Sequence, residues 1–155
     1  MTAPTRVIRK ETHTTMPDSI STEDYGWLLQ RELLDSVRGT RCALLASSDG
    51  MIRFYRGLGK DDADGLAAMA TSLLAIARAV GEAYGNGPGV RQVMSELDNL
   101  IFYVSVAGEN GVLAVLAEPT VDAGRLTYKM HELARQTPSQ LSTPARVALS
   151  DNGSV

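Results

Sequence analysis

Three short stretches of this 155-residue chain carry residue types that could do chemistry, and each fails on spacing or context. Gly57-Leu-Gly59-Lys60 suggests a phosphate loop, in which backbone N–H groups and a lysine cradle a nucleotide. That loop needs Gly-x-x-x-x-Gly-Lys followed by Ser or Thr. Here Phe54 stands where the first glycine belongs, and Asp61 follows the lysine. Asp62-Ala-Asp64-Gly65 resembles part of a calcium loop. Aligning Gly65 with the obligatory glycine puts Lys60 and Thr71 at the first and last ligand positions, where carboxylates are required. Gly85-Asn-Gly87-Pro-Gly89 follows a helical pattern rather than a strand, so it does not open a dinucleotide site. His13 and His131 are far apart and have no partner set for a triad or a metal. Cys42 is the single cysteine, which excludes an intrachain disulfide and makes a structural zinc site implausible. Asn152-Gly-Ser154 fits a glycosylation sequon, with nothing else pointing to secretion. The sequence therefore names no catalytic residue, no cofactor and no metal.

Composition directs attention elsewhere. Hydrophobic residues make up 44% of the chain, enough for one domain with a real core. The net charge is −3, and positions 21–136 hold 11 Arg and Lys against 15 Asp and Glu. An acidic core of that kind offers no basic surface for nucleic acid. Arg6 to Lys10 are not followed by a long apolar run, so a secretory signal is not expected and the reading is cytoplasmic.

Positions 1–20 and 137–155 are polar, proline-punctuated and without period, and read as a flexible arm and a flexible tail. Between them, Ser21 or Thr22 starts a helix whose inner stripe is Leu29, Leu33 and Val37, widened by Trp27, Leu34 and Tyr25, and which Gly39 ends. Thr40 to Ala46 is apolar on both alternating sets and predicts a strand covered on both faces. Asp49-Gly50 turns the chain into a second strand, Met51 to Leu58. A long helix then runs from Asp62 to Tyr84, with Asp62 or Asp64 as cap. Three strands follow: Val90–Leu97, Leu100–Ala107 and Val112–Ala117. Asp122 caps a last helix with Leu126, Met130, Leu133 and Ala134 inward. The fold class is α+β: a five-stranded antiparallel sheet with helices packed on it.

The long helix organises the chain. Leu66, Met69, Ala70, Leu73, Ala77, Val80 and Tyr84 recur at helical spacing and predict the face laid on the sheet. The other side carries Ala68, Thr71, Ser72, Ala75, Ala79 and Glu82, and Gly65 through Ala77 holds no charge. A solvated face normally carries Lys, Glu and Arg, so this one is expected to meet a copy of itself. The uncharged run is short and rich in Thr and Ser for a membrane span, and insertion is not expected. The strand from Val90 to Glu96 is the most polar and belongs at a sheet edge, where Val90, Gln92 and Met94 would pair with a second copy across a two-fold axis. The sequence thus predicts a homodimer through the Ala68, Thr71, Ser72, Ala75, Ala79 face and this edge.

Leu44-Leu-Ala-Ser-Ser-Asp49-Gly50-Met-Ile and Asp64-Gly-Leu-Ala-Ala-Met-Ala-Thr-Ser-Leu-Leu74 resemble the roadblock/dynein light chain family in its bacterial form. Gly111-Val-Leu-Ala-Val-Leu-Ala117 and Gly124-Arg-Leu-Thr-Tyr-Lys-Met130 are similar to its last strand and helix, so the resemblance covers roughly Leu28 to Gln136. It implies the order α-ββ-α-βββ-α of the roadblock/longin type. It also implies a homodimer with paired central helices and joined middle strands, and no nucleotide site of its own. The implied function is a non-enzymatic regulator or scaffold of a small Ras-like GTPase, in some members accelerating hydrolysis by rearranging the GTPase's own residues. Arg53 and Arg56 are accordingly not nominated as arginine fingers, though either could contact a partner. The alternative is a module that senses a small ligand or docks a sensor-kinase-like protein without affecting GTP hydrolysis.

Overall fold

In the computed structural model, residues 22–137 are described. The expectations for the arm and for positions 138–155 lie outside the described residues. The chain opens with α1 (Thr22–Leu29), which continues without a break into a π-helical turn, Gln30–Asp35. Tyr25, Leu29, Leu33 and Val37 are all buried. They recur at strict steps of four, whereas an α-helix turns every ~3.6 residues and would rotate such a row off its face. A π turn takes more residues per turn and brings the row back into line, which explains the change of winding inside this helix. Gly39 then reverses the chain at φ 94.

Five strands follow: β1 (Thr40–Ser47), β2 (Ile52–Arg56), β3 (Gln92–Glu96), β4 (Ile101–Ala107) and β5 (Gly111–Ala117). Helix α2 (Lys60–Tyr84) lies between β2 and β3, and α3 (Ala123–Gln136) ends the described fold. The α-ββ-α-βββ-α order is the one expected. The sheet order is β2-β1-β5-β4-β3, antiparallel throughout. Pairing of β1 with β5, from Thr40↔Ala117 to Ser47↔Gly111, joins hairpin to meander and puts the most apolar strands at the centre.

The period-two alternation of β1 feeds two cores. Ala43 and Leu45 join Leu113, Val115, Tyr103 and the buried rows of α1 and α3 on one face. Leu44 and Ala46 join Val104, Val112, Ala114 and helix α2 on the other. Asp122 caps α3 as expected, its carboxylate accepting the Arg125 N–H at 3.0 Å. The first core is closed by Tyr25, whose hydroxyl donates to the Leu133 carbonyl at 2.9 Å and lies 2.7 Å from Thr137 Oγ1. Burial pushes its phenol up to about 12.

Two expectations for α2 are corrected. The helix starts at Lys60 with Gly59 as its N-terminal boundary residue and no side-chain cap. Asp61 and Asp62 thus sit inside the first turn, where they complement the helix dipole instead of capping it. The buried row is Ala63, Leu66, Ala67, Ala70 and Leu74, while Met69, Val80 and Tyr84 are exposed. The helix is turned by roughly 60° from the expected orientation, about 100° separating successive residues. The reason is steric. Alanines at 63, 67 and 70 let the axis sit close to the sheet, and a row of Met69 and Leu73 would hold it off.

Candidate functional site

The residues singled out for chemistry are not brought together. Lys60 pairs with Asp64 at 3.0 Å on the exposed side of α2, one turn apart. Gly57 takes φ 83 at the end of β2, a turn conformation rather than a phosphate cradle. His131 is exposed on α3, and His13 lies outside the described residues. Cys42 is buried against α2, and that burial pushes its thiol up, away from the reactive thiolate. Among the described residues no group of His, Cys, Asp or Glu could hold a metal ion.

The geometry instead marks a surface. One sheet face is closed by α1 and α3 and tied by Glu32, which accepts from Lys129 Nζ at 2.7 Å across the two helices. Among the described residues the other face carries α2 alone. A helix is about 10–12 Å across, and five strands at about 4.8 Å spacing are far wider. Ile52, Tyr55, Val93, Phe102, Val106 and Leu116 are therefore only partly buried beside it. The outward side of α2 is itself apolar: Ile76 is 62% exposed and Met69 58%, with Ala68, Ser72, Ala75 and Ala79 also exposed. Ser72 Oγ donates to the Ala68 carbonyl at 2.8 Å, so its hydroxyl is turned back onto the helix. Thr71 lies on the flank, half-buried near the Gly50 turn. By length and composition α2 could cross a membrane; here its Ala63–Leu74 row is packed on the sheet.

The surface continues to an open edge. β3 is the outermost strand on its side and, among the described residues, is bonded only to β4. Gln92 and Met94 share the α3 side, Gln92 Nε2 lying 3.8 Å from the Met130 sulfur, and Met94 is 53% exposed. Val90 precedes the strand and is half-buried near α2. Sequence reasoning missed that Met69, Ile76 and Val80 lie outward with the small residues. Counting the charge-free run from Gly65 around the whole helix, instead of along one stripe, would have found them.

A family model for the Roadblock/LC7 domain matches residues 26–117. The chain belongs to the Roadblock/LC7 family. A Roadblock/LC7 domain from Streptomyces avermitilis is 40% identical in a match that covers 70% of this chain and 90% of that one, with a TM-score of 0.68. The gliding protein MglB of Thermus thermophilus shares the fold at 16% identity and TM-score 0.67, over 79% of this chain and 92% of its own. MglB of Myxococcus xanthus does so at 14% identity and TM-score 0.66, over 76% and 87%. No curated protein sequence matches the chain. Among the described residues of this roadblock domain, the half-covered helix–sheet face and the two sheet edges, β2 and β3, are the surfaces the fold leaves open.

The Glu32–Lys129 pair gives a prediction for the opposite face. Lys129, with Arg31 beside it, holds the Glu32 carboxyl below its usual range. A depressed folded-state value stabilises the fold above the unfolded value, and that stability is lost as pH falls through the folded one. Glu32→Gln is expected to lower stability at pH 7 by about 1 kcal/mol or less. As the pH falls through the depressed folded-state value, wild type and variant should converge. Urea unfolding at pH 7 and in acid reads the difference; a gap that persists in acid would contradict the assignment.

Proposed function

We propose that this roadblock chain is a homodimeric, non-enzymatic regulator or scaffold for a small Ras-like GTPase, acting in the cytoplasm. The observation that carries the reading is the outward face of α2, apolar and charge-free from Gly65 to Ala77 beside a half-covered sheet. A copy of the same helix suits it. Ala68, Ser72, Ala75 and Ala79 let two axes approach closely, while Met69, Ile76 and Val80 supply apolar area. A dyad normal to the sheet would place both α2 helices on one face and bring the β3 edges together in the same operation. The GTPase is supported by the family resemblance of the sequence. A sensor-kinase-like protein is a further candidate partner on the same ground.

A regulator changes hydrolysis only through differential affinity for states of its partner. A tenfold preference between GTP and GDP forms requires about 1.4 kcal/mol, which a few polar contacts supply. The test titrates the Ras-like GTPase encoded nearest to this chain, loaded with GDP or a non-hydrolysable GTP analogue. About tenfold tighter binding of one form is expected. Equal affinities with unchanged hydrolysis would leave a passive scaffold. Absence of binding to either form would remove the GTPase and favour the ligand-sensing or kinase-docking alternative.

A further inference from the structure

β3 begins at Gln92, opposite Ser105, so Val106 and Ala107 of β4 run past its end. An open groove of about 670 Å3 lies there, between the Val90–Arg91 lead and α3. Among the described residues its charged lining is two arginines, Arg91 and Arg135, with His131 and Tyr128 beside them and no carboxylate. Glu132, one turn along α3, accepts from the Tyr128 hydroxyl at 3.0 Å. Arg91, His131 and Arg135 make no hydrogen bond or ion pair with another described residue. Two arginines and an imidazole that are unengaged among the described residues, on the rim of an acidic domain, call for carboxylates from outside.

Sheet geometry says where carboxylates come from when β3 pairs with its own copy. Directly opposed residues share a face, and faces alternate along a strand, so in a two-fold antiparallel pairing the opposed numbers sum to an even value. The register that pairs all five residues of β3 sets Met94 opposite itself and Gln92 opposite Glu96. Val90 and Arg91 precede the strand and Leu97 and Asp98 follow it, so beyond these five pairs the register brings the Val90–Arg91 lead beside the Leu97–Asp98 turn of the second copy. Glu96, Leu97 and Asp98 are all exposed, and the turn is closed by Leu97 N–H donating to the Leu100 carbonyl at 2.9 Å. No Lys or Arg occurs from Gln92 to Ala107.

We propose that this groove receives the Glu96–Leu97–Asp98 turn of a second copy, Arg91, His131 and Arg135 facing its carboxylates while Leu97 settles over Val90 and Val106. The inference rests on the dimer proposed above and assigns what fixes its register. A slip by the two residues that parity allows would carry each carboxylate about 7 Å from the basic groups. The dyad repeats the clasp, so each dimer holds two. Rim charges of this kind set register and partner choice more than affinity, and salt weakens them.

Two charge-reversed proteins test it: Arg91→Glu with Arg135→Glu, and Glu96→Arg with Asp98→Arg. All four side chains are exposed, so the thermal midpoint should stay near wild type, and any protein that unfolds early is replaced by the corresponding alanine pair. Sedimentation at low salt should show each variant homodimer weakened about tenfold or more. An equimolar mixture should form a heterodimer of near wild-type affinity, because both of its clasps then pair opposite charges. Variants that dimerise like wild type, or a mixture that gives no heterodimer, would overturn the clasp and leave the dimer standing. A monomeric wild type would overturn both.

Discussion

Ala75→Arg is expected to give a folded monomer. Ala75 is exposed on the outward side of α2, one turn from Ser72 and Ala79 and two turns from Ala68 on the same row, and is in neither core cluster. An arginine there costs the protomer little, since Arg is a good helix former. In the proposed dimer the same position faces a second α2 across a contact made close by alanine and serine. The guanidinium would be buried without a carboxylate, because Gly65 to Ala77 supplies none. Leaving a charge buried and unpaired costs about 3–5 kcal/mol, or roughly a hundredfold or more in dissociation constant. Light scattering at micromolar concentration should give twice the chain mass for wild type and the chain mass for the variant, with circular dichroism unchanged. A variant that keeps the dimer mass would move the interface off this face.

The reach of the sequence follows from which signals are local. The helix and strand order was legible because Gly39, Asp49-Gly50, Gly85–Gly89 and Pro119 punctuate it and the apolar periods between them are clean. β3 was placed at an edge from its polarity alone, and the structure puts it there. The pairing of β1 with β5 was not legible, because it joins segments about seventy residues apart with no turn between them to fix the register. The rotation of α2 was missed for a different reason. On a helix apolar nearly all round, the period does not say which side meets the sheet. Side-chain size decides that, through how closely Ala63, Ala67 and Ala70 let the axis approach. The π turn after Leu29 was present in the four-residue spacing of Tyr25, Leu29, Leu33 and Val37, but periodicity arguments assume a fixed pitch and pass over it. The basic groove was not legible either, since Arg91 and Arg135 meet only through the fold.

Gly57→Ala is expected to destabilise the domain strongly, and the reason bears on why Gly57-Leu-Gly59-Lys60 looks like a phosphate loop at all. Gly57 takes φ 83, which an L side chain enters at a cost of about 1–2 kcal/mol. A Cβ there would press into the Arg41 carbonyl oxygen and lie 3.0 Å from Cys42 Cα. Those are backbone atoms of β1, which pairs with β5 at Cys42 and with β2 from Ala43 onward, and they cannot withdraw without straining those ladders. Overpacking adds about 1–3 kcal/mol, so the total of roughly 2–5 kcal/mol is a large part of the stability of a small domain. If the chain relaxes instead, it moves Leu58, which is packed beside α2, and the outward face moves with it. Gly59 is the control: it has a negative φ, and nothing lies within 4 Å of a Cβ placed on it. Gly59→Ala should cost less than about 1 kcal/mol, the loss expected from alanine at a helix N-terminal boundary. Urea unfolding of both variants separates them. Equal midpoints would show that the turn is not sterically fixed, whereas a loss confined to Gly57→Ala makes the first glycine of the stretch a product of the β1–β2 packing rather than of any bound phosphate.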